Sequence, residues 1–245
     1  MRVILVLTLA LASPAIAQER PPAKPYATLA APMRYAPADP ALDAFRAQLR
    51  DIVARKDLAA LRPHVIAKGF FWDNDWYRVL EPKKSGFDNL KLAYNFGTAF
   101  DGDWTEFGRA LTETVATLHP KRPGVVCLPA RPTTSDSEIK KFAQSLGVDT
   151  LEIIYARTAG LPVYDKPEAG ARVVDTIGAH FVRKYDWATH KGEPWTVEGS
   201  WIEIVTPAGK RAFAAPGTLD AGLHTQTCFA KDPAGAWKIA GTVHH

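Results

Sequence analysis

The sequence predicts an α+β protein in which a helix-rich first half is followed by an all-β second half. Between residues 39 and 118, apolar residues recur at three- and four-residue spacing, a pattern typical of amphipathic helices. After residue 150, short alternating segments follow at roughly ten-residue spacing, separated by proline, glycine and aspartate, which is typical of a small antiparallel barrel or sandwich. We therefore expect a helix-rich N-terminal domain at 39–124, a connecting segment at 125–158 and a β domain at 159–245.

Residues 1–17 contain the three parts of a secretory signal peptide. Arg2 supplies the positive charge, an apolar run follows, and Ala15 and Ala17 form a small-x-small cleavage signal. The run is shorter than the roughly 20 residues that a membrane-spanning helix needs. We predict cleavage after Ala17, a periplasmic or secreted mature chain with no transmembrane segment, and a flexible arm at 18–38, where proline and alanine dominate.

The helices are predicted from their N-caps and apolar stripes. Asp39, Asp57 and Asp103 each precede an apolar-periodic stretch, and aspartate is a favoured N-cap residue. The expected helices start at residue 40 and cover 58–65, 86–96, 104–118 and 135–146. Alternating stretches predict strands. The expected strands are 125–128, 151–156, 161–164, 172–177, 180–186, 195–205, 211–215, 224–230 and 237–243.

Cys127 and Cys228 are the two cysteines of the chain. An even number of cysteines in an exported protein indicates a disulfide. The closed loop of about 100 residues corresponds to roughly 4.7 kcal/mol in the chain-entropy model. Neither cysteine follows a glycine elbow or a helix N-terminus that would activate a thiolate, so we predict a structural bridge and not a catalytic thiol.

The sequence offers no pattern that indicates an enzyme, a metal site or a cofactor. There is no Gly-x-Ser-x-Gly elbow or phosphate-binding loop, and the seven histidines are scattered without a helical His-x-x-x-His pair. The aspartates at 73–75 and 101–103 lack the ligand series of a calcium loop and indicate turns and caps. The formal charge of +4 is not concentrated in one basic patch, so nucleic acid is not an expected partner.

An ordered set of features lies between residues 161 and 219. In chain order these are a strand with a proline turn at 161–167, strands at 171–177 and 180–182, then Trp201, the turn Gly209-Lys210 and Phe213. In this order the segment resembles the bacterial SH3-like (SH3b) family. The resemblance implies a small SH3-like antiparallel β-barrel, and such domains are thought to bind cell-wall peptides or other proteins. The whole chain resembles exported bacterial proteins that place a helical or mixed domain before such a barrel, a group with no assigned activity.

Aromatic residues near the long loop of the β domain are the predicted partner contacts. Tyr185, Trp187 and Trp195 lie in or beside this loop, and SH3-type grooves bind extended peptides on aromatic platforms. Trp201 and Trp237 lie at alternating strand positions, which predicts that they belong to the core. The expected function is a non-enzymatic binding or scaffolding protein whose barrel contacts a cell-envelope peptide or protein.

The first half suggests an alternative function. Two short helices followed by an aromatic strand are similar to the opening of NTF2-like cone folds. This similarity implies a pocket, lined by Phe71, Trp72 and Tyr77, that binds or transforms a small molecule. A helix-rich domain of no named type and a purely structural role for both halves also stay open. A solid apolar core in the first half would argue against the pocket.

Overall fold

Two β-sheets organise the part of the chain that the computed structural model describes, which is residues 23–73, 81–97, 104–156, 158–185, 200–220 and 225–244. The predicted signal peptide at 1–17 lies outside these ranges. The described strands are β1 (Phe71–Asp73), β2 (Thr117–Leu118), β3 (Val126–Leu128), β4 (Ile153–Ala156), β5 (Leu161–Tyr164), β6 (Val173–Ile177), β7 (Phe181–Lys184), β8 (Ile202–Val205), β9 (Arg211–Ala214), β10 (Leu219–Asp220), β11 (Gln226–Lys231) and β12 (Trp237–Val243).

The α-helices of the described chain are α1 (Pro40–Ala54), α2 (Leu58–Leu61), α3 (Gly86–Ala93), α4 (Trp104–Thr112) and α5 (Asp136–Leu146). The predicted caps of α1 and α2 are confirmed, because the Asp39 and Asp57 side chains accept hydrogen bonds from the first-turn amides. Ser135 and Glu138 form a capping box at α5. None of the described helices is long and apolar enough to cross a membrane.

Helix α4 ends before the predicted residue 118. Its last turn is stopped by two arginines of α1: Arg46 and Arg50 each donate a side-chain hydrogen bond to the carbonyl oxygen of Leu111. The chain then leaves the helix, and Thr117 and Leu118 pair with β3 instead. The apolar residues 115 and 118 continue the helical spacing, which is why the sequence pattern could not show where the helix ends.

The first sheet has the order β1-β12-β11-β3-β2, and only the β1–β12 pair is parallel. Helices α1–α4 pack on one face of it. We call this sheet with α1–α4 the host. Because β11 and β12 belong to the host, the predicted β domain at 159–245 is divided between the two sheets. The alternation in β11 and β12 correctly indicated strands, but alternation determines which face a residue occupies and not which strand is the neighbour.

The second sheet has the order β10-β4-β7-β8-β9-β5-β6, and every pair in it is antiparallel. We call this sheet with α5 the insert, because its chain lies between β3 and β11, which are neighbouring strands of the host. The connecting segment predicted at 125–158 therefore divides, with β3 in the host and α5 and β4 in the insert. The described pairings do not join β6 to β10, so closure of this sheet into a barrel is not observed.

The predicted disulfide between Cys127 and Cys228 is confirmed. The two cysteines lie directly opposite each other on β3 and β11 and are almost completely buried. The next rung toward the insert pairs Leu128 with Thr227. The bridge therefore joins the two strands at the base of the insert, and it does not link the connecting segment to the second sheet as the predicted domain boundaries would require.

Residues 23–36, which we call the strap, lie across both sheets. Ala30 forms an isolated bridge with His180 of the insert, Met33 bridges Pro132, and Tyr35 bridges Thr117 of the host. The prediction of a flexible arm at 18–38 is wrong for these residues. Proline and alanine do disfavour a regular element here, but an extended chain can still use its remaining N–H and C=O groups to pair with other segments.

The two sheets have cores of different composition. The host core between helices and sheet contains many large rings: Phe70, Trp72, Phe87, Tyr94, Phe96, Trp104, Phe107 and Phe229. The described inner core of the insert contains isoleucine, valine, leucine and alanine side chains and no aromatic ring. A second cluster on the other face of the insert is covered by α5 and the strap, and its rings include Phe142, Tyr155 and Phe181. The aromatic residues of the insert therefore lie outside its inner core.

Candidate functional site

A row of large side chains crosses four strands on the outer face of the insert. Tyr164 of β5 pairs with Phe213 of β9, and Phe213 pairs with Glu203 of β8. The Tyr185 amide donates to the Glu203 carbonyl at 2.9 Å, which extends the row past the end of β7. Directly opposed residues of an antiparallel ladder point to the same face. The four side chains therefore lie side by side on the face opposite the aliphatic inner core.

Trp201 joins this row from the residue before β8. Its ring stands edge-on to the Tyr164 ring, with centroids 5.6 Å apart and planes at 86°. Tyr164, Trp201 and Phe213 are each partly exposed. We call these three residues the aromatic face. The expectation that Trp201 belongs to the core is wrong, because its ring lies against Tyr164 on the outer face and is partly exposed. Trp237 is also only partly buried, although it does pack against the host core.

Of the three residues predicted to contact a partner, only Tyr185 lies within the described part of the chain. Tyr185 lies at the end of the row but is only 6% exposed. The Arg211 guanidinium covers it, 4.0 Å from the ring centroid, in a cation–π contact. Tyr185 is therefore the buried end of the row and not part of its exposed surface. Trp187 and Trp195 lie outside the described residues. The sequence missed Tyr164 and Phe213, whose only signal was that each follows a core residue in its strand.

The free edge of the insert beside the aromatic face is blocked against strand addition. The Asp175 side chain accepts a hydrogen bond from the Thr176 amide at 2.8 Å, and the Lys210 amine donates to the Val174 carbonyl at 3.4 Å. A register shift opposite Val163 and Tyr164 further distorts β6. These are the devices that protect exposed edge strands from pairing with other chains. A partner is therefore expected to contact the face and not the edge.

The surroundings of the aromatic face are polar but balanced in charge. The Arg172 side chain and the Asp165 carboxylate form an exposed ion pair at 3.3 Å on the turn between β5 and β6. Val173, next to Arg172, pairs with Tyr164 and is 51% exposed, so it extends the apolar surface by one strand. Partly exposed rings bordered by charged groups are the composition expected of a protein-contact surface.

The two described residues of the alternative pocket do not lie on one face of the host sheet. Phe71 and Trp72 are consecutive in β1 and therefore point to opposite faces of the host sheet. The Phe71 ring lies against Gly241 on the disulfide side, whereas Trp72 belongs to the helix-side core, and both are buried. Tyr77 lies outside the described residues. The packed rings of the helix-side core, among them the fully buried Phe107, also give no support to an open pocket there.

One group of titratable side chains on the host resembles a catalytic pair, but its contacts are structural. The His119 imidazole contacts the Asp73 carboxylate through Nε2 at 3.0 Å and accepts from the Lys121 amide through Nδ1 at 3.2 Å. The Arg122 guanidinium pairs with the same carboxylate at 3.0 Å. Burial lowers the pKa of His119, although the Asp73 charge opposes this shift. Both ring nitrogens are therefore engaged, and neither is available as a base.

The described residues contain no group of three or more His, Cys, Asp or Glu side chains placed to hold a metal ion. Comparison with protein-family models, with curated proteins and with solved structures gives no match to this chain. The function is therefore inferred from the geometry of the described residues, among which the aromatic face groups three partly exposed rings.

Proposed function

We propose that this protein is an exported, non-enzymatic binding protein whose insert is an SH3-like module, and that its aromatic face binds an extended segment of a cell-envelope peptide or protein. The observation behind the proposal is the position of the rings. The inner core of the insert is aliphatic, while Tyr164, Trp201 and Phe213 remain partly exposed on the outer face. Large rings left at the surface in one cluster are typical of an interaction site.

The pairing of strands supports the SH3-like part of the proposal. The five strands of the segment that resembles this family are β5 to β9, and the first of them pairs with both the second and the last. Bringing the first and last strands together is what a small barrel requires. Strands β4 and β10 extend this unit beyond β7.

The envelope location is supported by two independent features. The N-terminal sequence predicts an export signal, and the Cys127–Cys228 bridge is formed. Disulfides of this structural kind persist in oxidising compartments such as the periplasm and the extracellular medium. An extended peptide is the favoured ligand because the blocked edge of β6 leaves the face as the contact surface, and aromatic platforms bind extended chains along such a face.

A retention assay tests the proposal. Mature protein and a double variant with Tyr164→Ala and Trp201→Ala are incubated with isolated cell wall and with envelope extract, and the bound fraction is measured. We expect the double variant to bind at least about tenfold more weakly, a loss of about 1.4 kcal/mol. Tyr35→Ala is the matched control, because Tyr35 is a 53% exposed ring on the strap and outside the aromatic face.

Retention of the parent protein and of the control, but not of the double variant, would support the proposal. Equal retention of all three proteins would exclude the aromatic face as the binding surface. If the parent itself is not retained by either preparation, an envelope ligand is excluded. Circular dichroism and a thiol assay on each protein establish that the fold and the disulfide are unchanged.

A further inference from the structure

The strap contacts the insert through its first half. The Tyr26 amide donates to the Pro207 carbonyl at 3.0 Å, and the Tyr26 hydroxyl donates to the Val205 carbonyl at 2.6 Å. Farther along, the Phe181 amide donates to the Leu29 carbonyl at 2.9 Å. Burial raises the pKa of Tyr26 to about 12. The strap thus ends on the hairpin between β8 and β9, on the outer face of the insert.

The same strap contacts the host through its second half. The Leu118 amide donates to the Arg34 carbonyl at 2.7 Å, and the Ala36 amide donates to the Ala116 carbonyl at 2.9 Å. Ten residues separate Tyr26 from Ala36, a stretch that reaches at most about 36 Å when fully extended. One short segment therefore connects the edge of the host sheet to the hairpin of the insert.

An apolar groove of the insert holds the middle of the strap. Ala31 is 2% exposed and packs in one cluster with Phe142 of α5 and Phe181 of β7. The strap bridges each sheet through single residues and forms no continuous ladder with either within the described chain. Such isolated contacts make the strap easier to detach than a strand in the interior of a sheet.

Both covalent connections between the host and the insert lie at one position in the host sheet. The chain enters the insert after β3 and returns to the host at β11, and these neighbouring strands are joined by the Cys127–Cys228 bridge. Two connections at a single point define an axis for the orientation of the insert, and the first of them also accepts a hydrogen bond from the Tyr155 hydroxyl at the Ala130 carbonyl, at 3.2 Å. The strap adds a non-covalent connection, and it contacts the insert at Tyr26 and at Leu29.

We propose that the strap is a latch that fixes the orientation of the insert against the host, and that its release allows the insert to turn about the disulfide-joined strands. The groove around Ala31 holds the latch closed. This proposal does not depend on the aromatic face having a ligand, and its test uses no ligand.

A charge placed in the groove should open the latch. In the full-length mature chain, Ala31→Glu forces a carboxylate into the cluster with Phe142 and Phe181. Ala27→Glu adds the same charge at an exposed strap position and is the matched control. Amide exchange is followed at Phe181 and Leu118, and the distance between non-cysteine spin labels at Asp51 and Glu168, one exposed position on each unit, is measured by pulsed dipolar spectroscopy.

We expect Ala31→Glu to speed exchange of both amides at least about tenfold and to broaden the distance distribution, while Ala27→Glu changes neither. Faster exchange with an unchanged, narrow distribution would show that other contacts fix the orientation and would overturn the latch. Unchanged exchange would overturn it as well, because the groove would then not hold the strap.

A milder pair of variants covers the case in which Ala31→Glu unfolds the insert. A Cβ atom on Gly209 would lie 2.5 Å from the Pro25 nitrogen of the strap, whereas a Cβ on Gly217 has nothing within 4 Å. Both glycines have a positive φ, so Gly209→Ala and Gly217→Ala introduce the same backbone strain. The latch requires that only Gly209→Ala broadens the distance distribution, and equal distributions for the two variants would refute it.

Discussion

The host places most of its described aromatic side chains in its main core, whereas the described aromatic side chains of the insert lie outside its inner core. In the host, eight rings fill the space between four helices and one face of the sheet. In the insert, the inner core is aliphatic, and the rings lie on the outer face, where α5 and the strap cover some and leave others partly exposed. Burying a ring stabilises the fold in proportion to the area removed from water. The rings of the host therefore contribute to stability, whereas part of the aromatic area of the insert stays exposed to solvent.

The chain connections between the two units also set the host apart from the insert. The insert leaves and re-enters the host at neighbouring strands, so the host sheet is complete without contributions from the insert. The disulfide lies in the host and closes a sequence separation of 101 residues that includes the whole insert. The host therefore provides the covalent and aromatic framework on which the insert is held.

Removing the disulfide should have the largest effect on the free energy of unfolding, and it tests whether the host is the unit that stabilises the protein. Cys127→Ala with Cys228→Ala is expected to lower the free energy of unfolding by about 3–5 kcal/mol, because a long loop of the unfolded chain is no longer constrained. Urea unfolding, followed by tryptophan fluorescence and by amide exchange in each unit, measures the loss. A decrease below about 1 kcal/mol would show that the bridge constrains little.

Replacing one phenylalanine by alanine in each unit should have the next largest effect on the free energy of unfolding. Phe107→Ala removes a fully buried ring of the host and should cost about 3–5 kcal/mol. Phe213→Ala removes a partly exposed ring of the insert and should cost about 1 kcal/mol or less. Thermal and urea unfolding of both variants provide the comparison. Similar costs at the two positions would mean that the aromatic face is a structural core and not a contact surface.

Acidification should have the smallest effect on stability, and it acts through one histidine in each unit, the buried His119 and the partly buried His180. Desolvation lowers the pKa values of His119 in the host and His180 in the insert below the ordinary histidine value of 6.5. The unfolded chain therefore takes up protons first, and stability is lost as the pH falls from 6.5 toward the folded-state pKa values. An NMR titration of the two imidazoles checks the direction, with a pKa at or above 6.5 contradicting it. In the variant His119→Gln, the pH dependence of unfolding should be weaker.

Local features of this fold were predictable from the sequence, and long-range ones were not. The caps at Asp39 and Ser135 depend on a side chain and amides two or three residues away, so a short stretch of sequence contains the whole signal. The partners of β11 lie on both sides of it, and one of them, β3, is about 100 residues earlier in the chain. No local pattern distinguishes that neighbour from a strand of the insert.

The candidate site was predictable only in part for the same reason. Tyr185 was predicted because it lies beside the long loop, and the structure places it in the row but buried under Arg211. Tyr164 and Phe213 come from different strands, and they meet because β5 and β9 pair in one particular register. The strap was missed because its conformation depends on partners in both units, while its composition is the same as that of an unstructured linker.

The position of the disulfide also determines how the protein bears a pulling force. If a partner held on the aromatic face is drawn away from the host, tension in the two covalent connections enters the host at β3 and β11 and acts to separate these strands rung by rung. Only the rung between Leu128 and Thr227 lies ahead of the Cys127–Cys228 bond. Separation therefore stops after one rung at a covalent bond, and the remaining load passes into the host as a whole.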